Sequence, residues 1–304
     1  MKRLIPITGI YSPGLSNQIS NYKKYGYILI KRNDLISKSI LNEARGDILK
    51  YFDSIQNTYY YRFWRIFNHV NSQKRRHSIE LPNSIKSVNE ILKLSIGTIN
   101  NFLQSILLCK NSPLVEMSAI ISQTKSEDQS IHSDIPCIND SELISCFIAL
   151  QKIDLNNGAT YLYPESHTYE FHQYKNKNQA SSSSSSSSQV SYFDPEGIII
   201  ENDISEEITS NNNVNEDINL KQKNDNINNS LPHAAILDIG DLLIFNSKIF
   251  HYGSANLSQF DRLLLSFTFQ KLNDGKHIPI KGFTYHLSNS MKNDKKILND
   301  YPQI

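Results

Sequence analysis

Cysteine is scarce in this chain. Cys109, Cys137 and Cys146 are the three among 304 residues, and no two stand as Cys-x-x-Cys. That excludes a disulfide framework and a cysteine-built zinc site, and it suits a reducing compartment. Excess charge is missing too: 31 Lys and Arg against 30 Asp and Glu leave a net charge of +1. Nothing in that balance drives general binding to nucleic acid or to an anionic membrane surface. No apolar window is long enough to span a bilayer. The apolar run near the N-terminus is short and broken by Pro6 and Thr8, so an export signal is not expected. The closing Tyr301–Ile304 is not a peroxisomal address, and cytoplasm is the expected location. Several catalytic signatures are also absent: the Gly-x-Ser-x-Gly elbow, His-Glu-x-x-His, a phosphate loop and Gly-x-Gly-x-x-Gly. Each absence removes a rival enzyme class.

What is present divides into helices, then strands. Tyr25–Ile30 reads as a short strand, and Asn33 or Asp34 is placed to cap a helix running to about Phe52, with Leu35, Ile40, Leu41 and Ile48 at helical spacing. The aromatic stretch Tyr59–Val70 yields no assignment, and the basic and aromatic mix over Arg62–His77 reads as solvated surface. Ser87 and Glu90 have capping-box spacing before Leu92, Ile96, Ile99, Leu103 and Ile106, which predicts a second helix covering one face of a sheet. From Leu114 the pattern turns to strands: Val115–Gln123, Leu143–Asp154, Ala159–Tyr163, Ala234–Asp238, Asp241–Asn246 and Leu263–Lys271. Asn156-Asn157-Gly158 predicts a tight hairpin. Many short strands between turns argue for a barrel or jelly roll.

Lys175–Leu231 interrupts this pattern with eight consecutive serines, Ser181–Ser188, and an Asn/Asp/Glu-rich tract. Such composition cannot bury enough apolar surface to offset chain entropy and is expected to be a disordered loop insertion. The chain is therefore expected to be one domain over 1–304, with its core at about 20–272 and an extension at 273–304.

One motif within the strands carries chemistry. His132 and Asp134 form a His-x-Asp pair, and residues i and i+2 of a strand share a face, so the two side chains can supply two legs of a metal site. His251 follows the strand beginning at Asp241 and is a candidate third leg. Arg262, the only arginine beyond Arg76 in a chain with 23 lysines, opens an apolar strand eleven residues later. Arginine's rigid fork grips a carboxylate through two hydrogen bonds where lysine offers a point charge. Between His132 and His251 lie 119 steps of chain; without the 57 residues of the tract the interval is 62, a compact barrel spacing.

This order of His-x-Asp, distal His and Arg resembles the Fe(II)/2-oxoglutarate dioxygenases of the phytanoyl-CoA dioxygenase (PhyH) family. Asn157-Gly158, Pro164-Glu165-Ser166-His167, Gly240-Asp241 and His251 followed by Asn256-Leu257-Ser258 resemble further segments of that family. Glu165 stands where the family has Gly, and Gly253 where it often has Ser. The resemblance implies an α+β fold with a mainly β core, a cupin-like double-stranded β-helix (jelly roll) with N-terminal helices on one face. It implies Fe(II) held by His132, Asp134 and His251, with 2-oxoglutarate and O2 as cosubstrates. Arg262 is expected on the far carboxylate of 2-oxoglutarate, with Phe147 and Gln129 as further cosubstrate contacts. The implied reaction hydroxylates a small-molecule or acyl-type substrate and releases succinate and CO2; halogenating relatives lack the carboxylate that Asp134 supplies. The other reading is a catalytically silent jelly-roll metal-binding or interaction module that docks through the insertion, which fold likeness alone does not exclude. No nucleic-acid or membrane partner is expected. His167, His172 and His233 are expected to be structural, and Cys137 an inert thiol.

Overall fold

The computed structural model describes residues 5–6, 14–31, 36–58, 75–135, 142–168, 171–172, 231–272 and 296–301. The first half contains β1 (Ile5–Pro6), α1 (Leu15–Tyr25), β2 (Tyr27–Ile30), α2 (Lys38–Ile55), β3 (Arg76–Glu80) and α3 (Lys86–Leu107). Then follow β4 (Leu114–Ser122), β5 (Leu143–Ala149), β6 (Thr160–Leu162), β7 (His233–Ala235), β8 (Leu242–Asn246), β9 (His251–Gly253) and β10 (Arg262–Gln270). A 3-10 turn, Leu298–Asp300, lies near the C-terminus.

The strands form a six-stranded sheet in the order β2-β8-β5-β10-β4-β3 and a four-stranded sheet in the order β1-β7-β6-β9. From β4 onward the chain repeatedly crosses between the two sheets. That winding is a double-stranded β-helix, in agreement with the expected α+β class. The period-two alternation of a strand gives β10 two different faces. Leu263, Leu265, Phe267 and Phe269 join the cluster formed with the helices, whereas Leu264 joins the cluster between the sheets. α3 supplies Val88, Ile91, Leu92, Ile96, Ile99, Leu103 and Ile106 to the helical side. Full burial of one such side chain stabilises by about 1.5–3 kcal/mol, so this layer fixes the outer face of the six-stranded sheet and leaves its inner face for the site.

Several local expectations are corrected. α2 starts after Ser37, whose hydroxyl accepts the Ile40 N–H at 3.3 Å; Asn33 and Asp34 lie outside the described residues. Ser87 is no cap. The N-cap of α3 is Ile85, without a side-chain hydrogen bond, and the Ser87 hydroxyl donates instead to Asp47 of α2 at 2.7 Å. The Asn156-Asn157-Gly158 turn is not a hairpin, because β5 belongs to the large sheet and β6 to the small one. Its side chains hold the crossing: Asn157 accepts the Asp154 N–H at 2.9 Å and donates to the Lys152 carbonyl at 2.7 Å. Only Gly158 takes a left-handed φ there, at +93°, where a non-glycine residue is strained. Near the C-terminus, Leu298 and Tyr301 are buried in the helical cluster and Ile297 bridges Pro113, so this part of the extension packs on the core. Tyr59–Val70, Arg62, Lys74, Cys137 and all of the insertion except Leu231 lie outside the described residues.

Candidate metal centre

The His-x-Asp stretch is not a regular strand. It runs antiparallel along the segment that holds β9, tied at three places. Gln129 N–H donates to Gly253 O at 2.9 Å, His132 and His251 exchange both backbone bonds at 3.0 and 2.7 Å, and Asp134 N–H donates to Ser247 O at 2.9 Å. His132 and His251 form an isolated bridge, which extends the small sheet beyond β9. Ile135 N–H also donates to Ser247 O, so two consecutive amides share one carbonyl and regular pairing stops at the carboxylate. The bend leaves Asp134 facing both imidazoles.

The three ligand atoms lie within 4.8 Å of one another. Asp134 Oδ1 is 4.0 Å from His132 Nε2 and 3.7 Å from His251 Nε2, and the ring centroids are 4.5 Å apart. Each imidazole pairs its Nδ1 with the carbonyl two residues upstream, His132 with Ser130 at 2.8 Å and His251 with Ile249 at 3.0 Å. A carbonyl only accepts, so both Nδ1 atoms carry the proton and both Nε2 atoms present a lone pair toward Asp134. Burial, with His251 as the next cause, pulls His132 down to about 4; burial pulls His251 down to about 4 as well. Both rings are therefore neutral at pH 7. Two neutral imidazoles and one carboxylate are the donor set of a facial triad with open positions for other ligands. This cluster is the one group of its kind among the described residues.

Arg262 opens β10 on the inner face and is 1 % exposed. Its Nε and Nη1 have no hydrogen-bond partner among the described residues. Burial first, and then the Arg76 guanidinium, lower its pKa to about 9, which leaves it charged at neutral pH. A buried cation with unsatisfied donors is costly and has the chemistry of a carboxylate receptor. Phe147 lies on β5 and packs edge-on against Phe245 at 4.9 Å, and Phe245 in turn lies 5.2 Å from the His251 ring. The Gln129 Oε1 accepts the Gly253 N–H at 2.9 Å, placing this side chain against β9 itself.

Other parts of the sequence pattern acquire structural roles. Asn256 donates to Ser122 O and Phe260 O and accepts from Ser258, which folds the loop that delivers Arg262. Ser166 accepts the Phe250 N–H at 2.9 Å, bracing the residue before His251. Glu165, in place of glycine, adopts the left-handed turn with φ 64°. His167, His172 and His233 stay out of the cluster and bond Lys23 O, Lys248 O and the Tyr27 hydroxyl. Sequence reasoning missed Arg76. It belongs to a stretch read as solvated surface yet is 4 % exposed, and its only sequence signal is that an arginine, not a lysine, opens β3.

A family model described as phytanoyl-CoA dioxygenase (PhyH) matches residues 22–264. The chain belongs to the PhyH family. Its fold resembles the solved structure of the non-heme alpha ketoglutarate dependent carbocyclase SnoK from nogalamycin biosynthesis, with a TM-score of 0.53 at 12 % identity over 84 % of this chain and 83 % of that one. The epimerase SnoN from the same biosynthesis matches with a TM-score of 0.47 at 11 % identity, covering 84 % of this chain and 80 % of its own. EvdO2 from Micromonospora carbonacea var. aurantiaca, solved with 2-oxoglutarate, matches with a TM-score of 0.47 at 10 % identity, covering 88 % and 94 %. No curated protein matches the chain. Membership of the PhyH family makes this an Fe(II)- and 2-oxoglutarate-dependent enzyme, and the set of two neutral imidazoles and one carboxylate, together with the buried Arg262, fits both groups. Among the described residues no helix is long and apolar enough to cross a membrane.

Proposed function

We propose that this PhyH-family enzyme is a hydroxylase in which His132, Asp134 and His251 hold Fe(II) and Arg262 pairs the far carboxylate of 2-oxoglutarate. The observation that carries the reading is the convergence of three donor atoms within 4.8 Å, with both imidazole Nε2 atoms left as acceptors. When bound, the metal and cosubstrate supply oxidation of a substrate C–H bond by O2, with release of succinate and CO2. The protein supplies position and dryness. The Ser130 and Ile249 carbonyls fix the two ring tautomers, and the shared Ser247 carbonyl aims Asp134. Arg262 keeps its charge inside the barrel, and Phe147 and Gln129 flank the cosubstrate space. Asp134 favours hydroxylation over halogenation because it fills the position that a halide takes in halogenating relatives. The substrate is a small molecule or acyl-type compound. The core at about 20–272 works as one domain with the 175–231 tract as a loop insertion.

Anaerobic titration of the purified chain with Fe(II) and 2-oxoglutarate tests this reading. A weak visible charge-transfer band is expected, and it should disappear in His132→Ala. Absence of the band together with absence of Fe(II) or 2-oxoglutarate binding would leave the silent-module reading in its place. With O2 admitted, succinate release should require both Asp134 and His251.

A further inference from the structure

Arg76 is more deeply buried than His132 or Asp134, and its guanidinium is bonded to three separate parts of the chain. Its Nη1 donates to the Ser122 hydroxyl at 2.7 Å. Its Nε and Nη2 donate to Glu127 O at 3.1 and 3.0 Å. Nη2 also reaches Gly253 O at 3.2 Å and Ser254 O. One side chain thus joins three pieces of chain. Ser122 ends β4 in the large sheet, Glu127 begins the approach to His132, and Gly253 and Ser254 follow His251. Arg76, which opens β3, thereby ties the approach to His132 and the strand that carries His251 to the large sheet.

Gly253 is the counterpart of that arrangement. A Cβ at this position would lie 2.7 Å from Arg76 Nη1 and 2.6 Å from Gln129 Oε1. Both atoms are side-chain ends, but neither is free to retreat: the guanidinium is held by its own bonds, and Gln129 Oε1 accepts the Gly253 amide. The departure from the family's frequent serine therefore has a steric reason in this chain.

We propose that Arg76 is a positioning residue that clamps the His132-bearing segment to the His251-bearing strand and sets the separation of the iron ligands, with Gly253 as the residue that makes room for it. The proposal rests on the iron-site reading above. Hydrogen-bond partners that orient metal ligands typically change metal affinity 10- to 100-fold; Arg76 acts on the ligands through the backbone, and its guanidinium fan cannot be reproduced by a lysine ammonium.

The experiment is Co(II) titration of the full chain, followed by optical absorption and calorimetry, for wild type, Arg76→Lys, Arg76→Gln, Gly253→Ala and the Arg76→Gln/Gly253→Ala double variant. Each single variant is expected to weaken Co(II) by about 10-fold or more and to change the Co(II) absorption band. The double variant is expected to be no weaker than the worse single one, because both changes remove the same clamp. A merely structural role would lower the melting midpoint and leave the Co(II) affinity of the folded protein unchanged. Wild-type affinity and an unaltered band in Arg76→Gln, or fully additive losses in the double variant, would overturn the proposal. If Arg76→Gln does not fold, Gly253→Ala decides on the same criteria. If wild type binds no Co(II), the iron-site reading fails separately, and amide exchange judges the clamp. His132 and His251 amides exchanging faster in the variants would support the tether, and unchanged exchange would remove it.

Discussion

Ser122 faces Arg262 across one strand pair and Arg76 across the other, and its hydroxyl takes the Arg76 guanidinium at 2.7 Å. Arg262 is left buried with Nε and Nη1 unpartnered among the described residues. Two neighbouring guanidiniums on one inner face thus have opposite situations, one bonded to three carbonyls and a hydroxyl, the other open among the described residues. The open one is the residue proposed to receive the cosubstrate's far carboxylate. Arg262→Lys keeps the charge but loses the planar fork, so 2-oxoglutarate affinity should fall roughly 10- to 100-fold, the range of a lost charge-assisted hydrogen bond. Metal affinity should stay as in wild type, which distinguishes this variant from Arg76→Lys. Titration of 2-oxoglutarate into the metal-loaded protein checks it, and unchanged affinity would take the cosubstrate role from Arg262.

The two serines near the helix starts have different tasks and should respond differently to removal. Ser37→Ala removes a cap from α2 and should cost about 1 kcal/mol. Ser87→Ala removes the hydroxyl that α3 donates to Asp47 of α2, a bond to a charged group worth about 1.5–3 kcal/mol. The second loss should vanish in an Asp47→Ala background, because the partner is already gone. Urea unfolding of wild type, the three single variants and the Ser87→Ala/Asp47→Ala double variant measures both values. A Ser87→Ala cost independent of Asp47 would restore a capping role for Ser87.

Glu165 pays a backbone penalty that its glycine-bearing relatives avoid. At φ 64° a residue with a Cβ is disfavoured by about 1–2 kcal/mol, while glycine adds about 0.4–1 kcal/mol of unfolded-state entropy. The difference favours Glu165→Gly by about 0–1.6 kcal/mol. The turn itself is held by the Glu165 N–H to Tyr25 O bond at 3.0 Å, which the change preserves. A rise in the thermal midpoint is the expected outcome, and a fall would mean that the side chain contributes more than the strain costs.

Periodicity and residue type made the strand-rich core and its helical cover legible, and the resemblance to the PhyH family pointed to His132, Asp134, His251 and Arg262 as the proposed site. The reasons are local: alternation selects a strand face, three-and-four spacing selects a helix face, and a solitary arginine among lysines marks a need for geometry. Properties fixed by distant chain were not legible. Ser87 and Glu90 have the spacing of a capping box, but Asp47, forty residues away, takes the hydroxyl. Asn156-Asn157-Gly158 has hairpin composition, but the flanking strands are claimed by different sheets. Arg76 lies in a basic stretch, and only the fold brings Glu127, Gly253 and Ser254 around it. The His-x-Asp pair was expected on a strand; the Ser247 carbonyl, by accepting two successive amides, bends it instead.

Acid should weaken the fold through its buried histidines. His172 Nε2 pairs with the Lys248 carbonyl at 2.8 Å, and its ring packs 4.6 Å from Phe250. Burial lowers its pKa below the ordinary 6.5, against the opposing pull of that backbone bond. A base with a depressed folded pKa binds protons more readily when unfolded. Its contribution is therefore complete above about pH 6.5 and is lost as pH falls from there through the lower folded value. His167 is lowered by burial in the same direction, and His132 and His251 are held near 4, so the metal-free protein should lose stability steadily between about pH 6.5 and 4. The part owed to His172 is isolated by difference. His172→Gln keeps an amide donor within reach of Lys248 O but cannot titrate, so its urea midpoint should fall less steeply with acid than that of wild type. Lys248 lies between Ser247, which aims Asp134, and the strand that carries His251. Protonation of His172 should therefore also loosen metal binding, more in wild type than in His172→Gln. Parallel pH profiles for the two proteins would remove His172 from the acid response.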